Sequence, residues 1–418
     1  MLTVGAMVWL VGCTPDVIVG ADGEGTSPKA PDTTPEHAGG SGRSAMLADP
    51  LASGSPFSDR LPASATEDEG DAMLFGERIT EMEILLDDRA RGSLASDPGT
   101  DVMATLVVDE VAYVVGVHLK GRMSFRSLSE KPALRVDMGE YIDGATLYGV
   151  RRFTLQNMVQ DSSMMAEHVF HALARASGVP NPRHGFAQLR VNGRDKGLYG
   201  ILESADEAFL RRWFEDHEGN LYEGGWGADV RAGDADDFTL EESGLATPAP
   251  EDLEAMVARV TRDEVAGISA CFDRDEVLAA WAVEITTGQA DGYLTWANNF
   301  LLYGEPGGSP GCGARWRMLP WGMDQAFRSN RDPFGGAAGA LADACLADGS
   351  CRNDLRAATA NVLVTWERLD LAGRAAETEV LIQDACERDP ARELPCNQER
   401  VRRWIEDRPA EIRAYLRE

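Results

Sequence analysis

The sequence predicts an α+β protein with two lobes, a β-rich front half and a mostly helical back half, and three observations carry that expectation. Behind Leu74, short runs rich in β-branched residues alternate apolar with polar positions, as strands with one buried face do. One early segment, "SSMMAEHVFHALARASGVP", switches to helical spacing and stops at Gly178 before Pro180. Beyond about residue 250 the apolar runs are long and helical, interrupted by one short strand pair.

In chain order, "EMEILLDD" and "VMATLVVDEVAYVVGVHLKG" read as strands, with Asp109-Glu110 as a hairpin turn. "KPALRVDM" and "RRFTLQNM" supply two more, the first alternating Ala133, Arg135 and Asp137 with Leu134, Val136 and Met138. The early helix opens on Ser caps. A second hairpin follows in "FAQLRVNGRDKGLYGILES", where Asn192-Gly193 is the turn signal. "ADEAFLRRWFED" is helical, as are "EDLEAMVARVTRDE", "RDEVLAAWAVEITTGQ" and the stretch from Arg352 to Ala385. "NNFLLYG" and "ARWRMLPWG" form the interrupting strand pair. No internal repeat is visible.

The 418 residues, 44% of them apolar, suffice for a sizeable core and exclude disorder throughout. Acids outnumber bases 69 to 40, a formal charge of −29, so a nucleic-acid backbone is repelled, and no basic stripe offsets this. "LRRW" and "VRRW" read as solvated helix faces.

The N-terminus, "MLTVGAMVWLVGC", carries an apolar run too short to span a bilayer but suited to a signal-peptide core. Its ending resembles the bacterial lipobox, in which the cysteine, here Cys13, is lipidated. No Lys or Arg precedes the run, a departure from the usual pattern. Residues 1–13 are therefore expected to be a lipoprotein signal peptide, and residues 14–72, rich in Gly, Ser, Pro and acids, a disordered tether. Residues 73–418 form the folded domain. The expected location is exported and lipid-anchored, at the bacterial outer membrane or cell surface, touching the membrane through the anchor only.

Six further cysteines in an exported chain point to disulfides. Cys345/Cys351 and Cys386/Cys396 are natural loop bridges and leave Cys271/Cys312, although spacing does not choose among the possible pairings. Zinc is disfavoured, because no C-x-x-C pair exists and no His sits nearby.

The stretch "LPWGMDQAF" sets a lone carboxylate, Asp324, where a hydrophobic strand ends. Upstream, "GQADGYLTWANNFLLYG" places Asp291 after a helix and Asn298-Asn299 at the start of a strand. Asn299 and Asp324 can hold Mg²⁺ or Mn²⁺ against triphosphate oxygens, since hard cations prefer carboxylate and amide oxygen. Asp291 can accept the proton of an incoming hydroxyl, the division of labour in kinase-type phosphoryl transfer. Spacing alone favours the ordinary reading, with Asp324 as a helix cap and the Asn pair as turn residues.

The order of segments resembles the spore-coat protein H (CotH) kinase-like family over residues 75 to 330. The matching stretches are "VGVHLKGRMSFRSLSEKPALRVDM", the segment from "AEHVFHALARASGVP" to "AFLRRWF", "GNLYEGG", "ADGYLTWANNFLLY" and "MLPWGMDQAF". The resemblance implies a two-lobed atypical protein-kinase-like fold. It implies transfer of the ATP γ-phosphoryl to Ser or Thr of secreted or surface proteins, with a divalent metal. It implies Asp291 as the catalytic aspartate, Asp324 as the metal-binding aspartate and Asn299 as the second metal ligand. Glu167 matches the helix glutamate that pairs with a phosphate-holding lysine, and Glu203 matches another family acid. Lys120 and Lys131 are the lysine candidates, with Gly121 and Ser124 in the loop that approaches the phosphates.

Each residue also has an ordinary reading: strand-end lysines for Lys120 and Lys131, a first-turn acid for Glu167. His168 and His171 read as core residues rather than metal ligands, and Trp296, Trp316 and Trp321 as core rather than a sugar platform. The chain departs from the family pattern at Gly322, Arg135, Asp137 and Glu223. Those departures keep two rivals open, a weakened pseudokinase and a structural cell-surface interaction protein. No Ser-His-Asp arrangement is visible.

Overall fold

The computed structural model describes residues 73–417, apart from 77, 226 and 245–248. The lipidation expected at Cys13 and the tether expected over 14–72 lie outside the described residues.

The front half is a closed barrel rather than a sheet with free edges. Its strands are β1 (Ile79–Leu85), β2 (Val102–Val108), β3 (Val111–Lys120), β4 (Ala133–Asp137), β5 (Arg152–Gln156), β6 (His184–Val191) and β7 (Arg194–Glu203). They follow one another in the order β1-β2-β3-β4-β5-β7-β6. Closure comes from β1 and β6, which run parallel with Ile79 opposite Phe186 and Ile84 opposite Val191. Alternation within a strand carries no information about so distant a partner. The hairpin turns were readable: Asp109 and Glu110 take φ of 46° and 69°, Asn192 and Gly193 take 48° and 76°, the left-handed pair that two-residue hairpins require. Inward residues such as Leu106, Val136, Phe153 and Ile201 are fully buried.

Helix α1 (Asp88–Ser96) has no counterpart in the sequence reading. Its buried residues are only Ala90 and Leu94, too few for a clear period, and the side chain of its N-cap Asp87 accepts from Ala90 N at 2.7 Å. Helix α2 (Ala166–Ala176) forms as expected, but its cap differs. Asp161 Oδ2 accepts from Ala166 N at 2.9 Å, and Ser163, expected as a cap, bonds Asp161 Oδ1 at 2.7 Å. A carboxylate is the stronger partner for exposed N–H dipoles at a helix start. Gly178, at φ 74°, ends the helix.

Behind α3 (Glu207–Trp213) comes a second sheet of β8 (Asn220–Gly224), β9 (Phe238–Glu242), β10 (Phe300–Glu305) and β11 (Arg315–Pro320), ordered β11-β10-β8-β9. The expected strand pair is β10 and β11, antiparallel with Phe300 opposite Pro320. The remaining helices are α4 (Glu251–Cys271), α5 (Arg274–Thr287), α6 (Tyr293–Trp296), α7 (Ala340–Ala347), α8 (Gly349–Arg368), α9 (Leu371–Arg388) and α10 (Gln398–Arg417). Phe170, Trp281, Tyr293, Leu302 and Trp316 belong to the core that packs them on the second sheet. Disulfides join Cys345–Cys351 and Cys386–Cys396, the two close pairs read as natural loop bridges, and Cys271–Cys312, the pair they leave. Among the described residues no helix is long and apolar enough to cross a membrane.

Candidate functional site

A cleft of about 390 Å³ lies between the barrel strand ends and the second sheet, and it gathers Lys120, Gly121, Ser124, Asp291, Asn299 and Asp324. They arrive on separate segments: the end of β3 and its loop, the turn after α5, the start of β10 and the turn after β11.

Asp291 is placed by a chain of local bonds. Helix α5 ends at Gly288 in the left-handed conformation, which turns the backbone sharply into the loop. Ala290 N then donates to Gln325 O at 3.1 Å, joining the loop of Asp291 to that of Asp324. The buried Glu284 accepts from Tyr293 N at 3.4 Å and Leu294 N at 3.2 Å, holding the first turn of α6 directly behind Asp291. Asn298 Nδ2 donates to Asp291 Oδ1 at 3.1 Å, and Asn299 Nδ2 donates to Asp291 O at 2.6 Å and Oδ2 at 3.1 Å. Two amides therefore orient one carboxylate.

Because its nitrogen is committed to Asp291, Asn299 presents its oxygen to the turn after β11. There Gly322 has φ 60°, and a Cβ at that position would stand 2.8 Å from Asn299 Oδ1. The glycine clears room for that oxygen. Asp324 follows in a single 3₁₀ turn, Met323–Gln325, with Gln325 Nε2 donating to Asp324 Oδ2 at 3.2 Å. Burial, with neighbouring Glu167 adding to it, raises the Asp324 carboxyl to about 7. A hard cation takes one or two protein oxygens and leaves its other positions to phosphate and water. The Asp324 carboxylate and the Asn299 amide oxygen are a donor set of that kind. Among the described residues no three His, Cys, Asp or Glu side chains form a group that could hold a metal by themselves.

Glu167 sits beneath this turn. It is buried, and its Oε1 accepts from Met323 N at 3.1 Å, next to Asp324. Burial raises it to about 7, partly offset by that bond. The lysine partner expected from the family is not within bonding reach. Lys120 instead lies with Nζ 5.4 Å from the Trp321 ring centroid. Burial lowers its pKa, and Glu223 is the foremost charge opposing that shift. Glu223 and Glu241, both lining the cleft, were not among the expected site residues.

Two expected residues stand elsewhere. Lys131 is 1% exposed, and its Nζ donates to Asp389 Oδ2 at 2.5 Å while lying over the Tyr199 ring. Glu203 is buried outside the cleft and accepts two bonds of 2.6 Å from Arg212 and one of 2.9 Å from Arg183. Burial pushes it up, but those arginines bring it below the usual carboxylate value. His168 and His171 are core residues as read, kept neutral by burial at about 4 and about 3. Of the tryptophans, Trp316 is core, Trp321 lines the cleft, and Trp296 is 66% exposed.

A family model described as CotH kinase protein matches residues 117–409. No curated protein matches the chain. The matched span contains the second half of the barrel, the whole second sheet and every residue of the cleft.

Proposed function

The chain belongs to the CotH kinase protein family, and on that premise we propose that it transfers the γ-phosphoryl of ATP to a Ser or Thr hydroxyl of a secreted or surface protein. The observation that carries the reading is the convergence of six expected residues on one cleft. Asp291 accepts the hydroxyl proton, its carboxylate aimed by Asn298 and Asn299. Mg²⁺ or Mn²⁺, held by Asp324 and Asn299, would supply charge neutralisation at the phosphates. Lys120 meets the phosphates as a point charge, and Gly121 and Ser124 form the wall beside it. Glu167 supports the turn that carries Asp324 and reaches Lys120 only if the lysine moves. We read the barrel as the counterpart of a kinase N-lobe and the helix-rich remainder as that of a C-lobe.

Three disulfides support an oxidising, exported location, and we carry the lipid anchor at Cys13 and a cell-surface site as part of the same proposal. One observation favours a weakened pseudokinase: Glu223 and Glu241 bring two further acids to the cleft where triphosphate would lie.

Phosphate incorporation, read by mass spectrometry on the full chain with ATP and Mg²⁺ or Mn²⁺, tests the reading beside Asp291→Ala and Asp324→Ala. Gain of phosphate by the wild type alone supports it. Silence of all three with every metal, and no stabilisation by ATP, sinks it in favour of an interaction protein.

A further inference from the structure

The loop between β3 and β4, residues 121–132, is exposed at its tip yet pinned along most of its length. Asn157, just past β5 and 2% exposed, donates through Nδ2 to Ser124 O at 2.8 Å and to Lys131 O at 2.9 Å. One amide thus ties together two points near the loop's ends. Lys196 of β7, 5% exposed, donates to Leu128 O at 2.7 Å, Ser129 O at 3.3 Å and Glu130 O at 2.6 Å. All three ammonium protons are spent on successive carbonyls. Burying an ammonium is costly unless it is fully bonded, and here its partners are the backbone of a loop that buries little itself.

A second support comes from the stretch between Cys386 and Cys396, which the disulfide closes into a strap. Asp389 takes Lys131 Nζ and also accepts from Leu198 N at 3.0 Å. Glu393 receives Arg126 Nη2 at 2.6 Å. The strap fits against Gly197, at φ 85°, where a Cβ would fall 2.0 Å from Asp389 Oδ1.

We infer that Asn157 and Lys196, backed by the strap, are positioning residues that hold the loop of Gly121 and Ser124 as a preformed wall of the cleft. The nucleotide phosphates then meet an ordered backbone rather than a flap that must close. This rests on the kinase reading for the identity of the ligand, but not for the ordering of the loop.

The test uses the full chain with Asn157→Asp, which keeps the shape and removes the donor, and Lys196→Met, which removes donors from another strand. Hydrogen exchange of peptides covering 121–131 should quicken by at least about tenfold in each, since Asn157→Asp loses two bonds to the loop and Lys196→Met three, while peptides of β10 stay unchanged. ATP·Mg²⁺ affinity, followed by titration calorimetry, should weaken about tenfold in step. Unchanged loop exchange in a folded variant overturns the inference. So does faster exchange with undiminished ATP affinity. If the wild type binds no ATP·Mg²⁺, the kinase reading fails on its own account, and the exchange result alone decides whether these two residues order the loop.

Discussion

Replacing the two strand-end lysines should produce opposite phenotypes. Lys131 and Asp389 bury their side chains to 1% and 0% exposure, with a 2.5 Å contact between them. Asp389→Ala leaves an ammonium without a partner inside the protein, at a cost of about 3–5 kcal/mol. It also strips the acceptor from Leu198 N and Ala391 N, so the upper part of that range applies. Lys131→Met should cost less, about 1–3 kcal/mol, because the stranded carboxylate keeps both backbone donors. For a domain of this size the loss in Asp389→Ala corresponds to a fall in melting temperature of roughly 4–7 °C. Lys120→Met removes no ion pair among the described residues and should melt near the wild type. The assay is thermal unfolding with and without ATP·Mg²⁺: Lys131→Met melts earlier but keeps its nucleotide shift, Lys120→Met melts normally and loses it. A Lys131→Met protein of wild-type stability with no nucleotide response would refute the reasoning and return the phosphate-holding role to Lys131.

Four further outcomes are expected. Gly322→Ala forces a side chain into the left-handed region and against Asn299 Oδ1; it should cost about 1–2 kcal/mol in urea unfolding and lower phosphate transfer by more than that loss explains. Glu167, Glu276, Glu284 and Asp324 all have carboxyls raised to about 7. Their folded values exceed the ordinary carboxylate value, so the native state holds more protons; metal-free stability should fall as pH rises from about 4.5 through about 7 and then level. Glu284→Gln should flatten that slope, by as much as about 3 kcal/mol between pH 5 and pH 8, and an unchanged slope would count against the raised value. Replacing the Cys271–Cys312 pair with serines should destabilise by about 4 kcal/mol against about 2 kcal/mol for Cys345–Cys351, because the sequence separations are 41 and 6; denaturant midpoints would settle the order.

Local chemistry made part of this molecule readable in advance. Asn192-Gly193 announced its turn because few residues tolerate positive φ, Asp109-Glu110 because a charged pair interrupts two apolar runs, and two of the three cysteine pairs were close enough in sequence to suggest their bridges. Asp291, Asn299 and Asp324 flank one hairpin, so their closeness could be anticipated, although spacing alone also allowed a helix cap and turn residues and their roles came from the family resemblance. Where the partner is remote, reading failed. Lys120 and Lys131 look alike as strand-end lysines until Asp389, far along the chain, claims one of them. Glu203 matched a family acid, yet only the fold brings Arg183 and Arg212 to it. The cap of α2 came from Asp161, further back than the Ser residues a capping rule inspects. Glu223 and Glu241 reached the cleft through strands that their short, weakly alternating sequences did not reveal.

The parallel seam between β1 and β6 also sets a timetable for the nascent chain. Ile79 emerges early, but its partner Phe186 is made only after β2 to β5 and helix α2. Until then β1 has one bonded neighbour and one bare edge, and so does the growing end of the sheet. Such edges invite pairing with other chains, and contacts so distant in sequence form slowly. A cut or stall before Val191 therefore leaves an open, adhesive ribbon, whereas a chain carried past Glu203 can seal itself with no barrel edge left to offer.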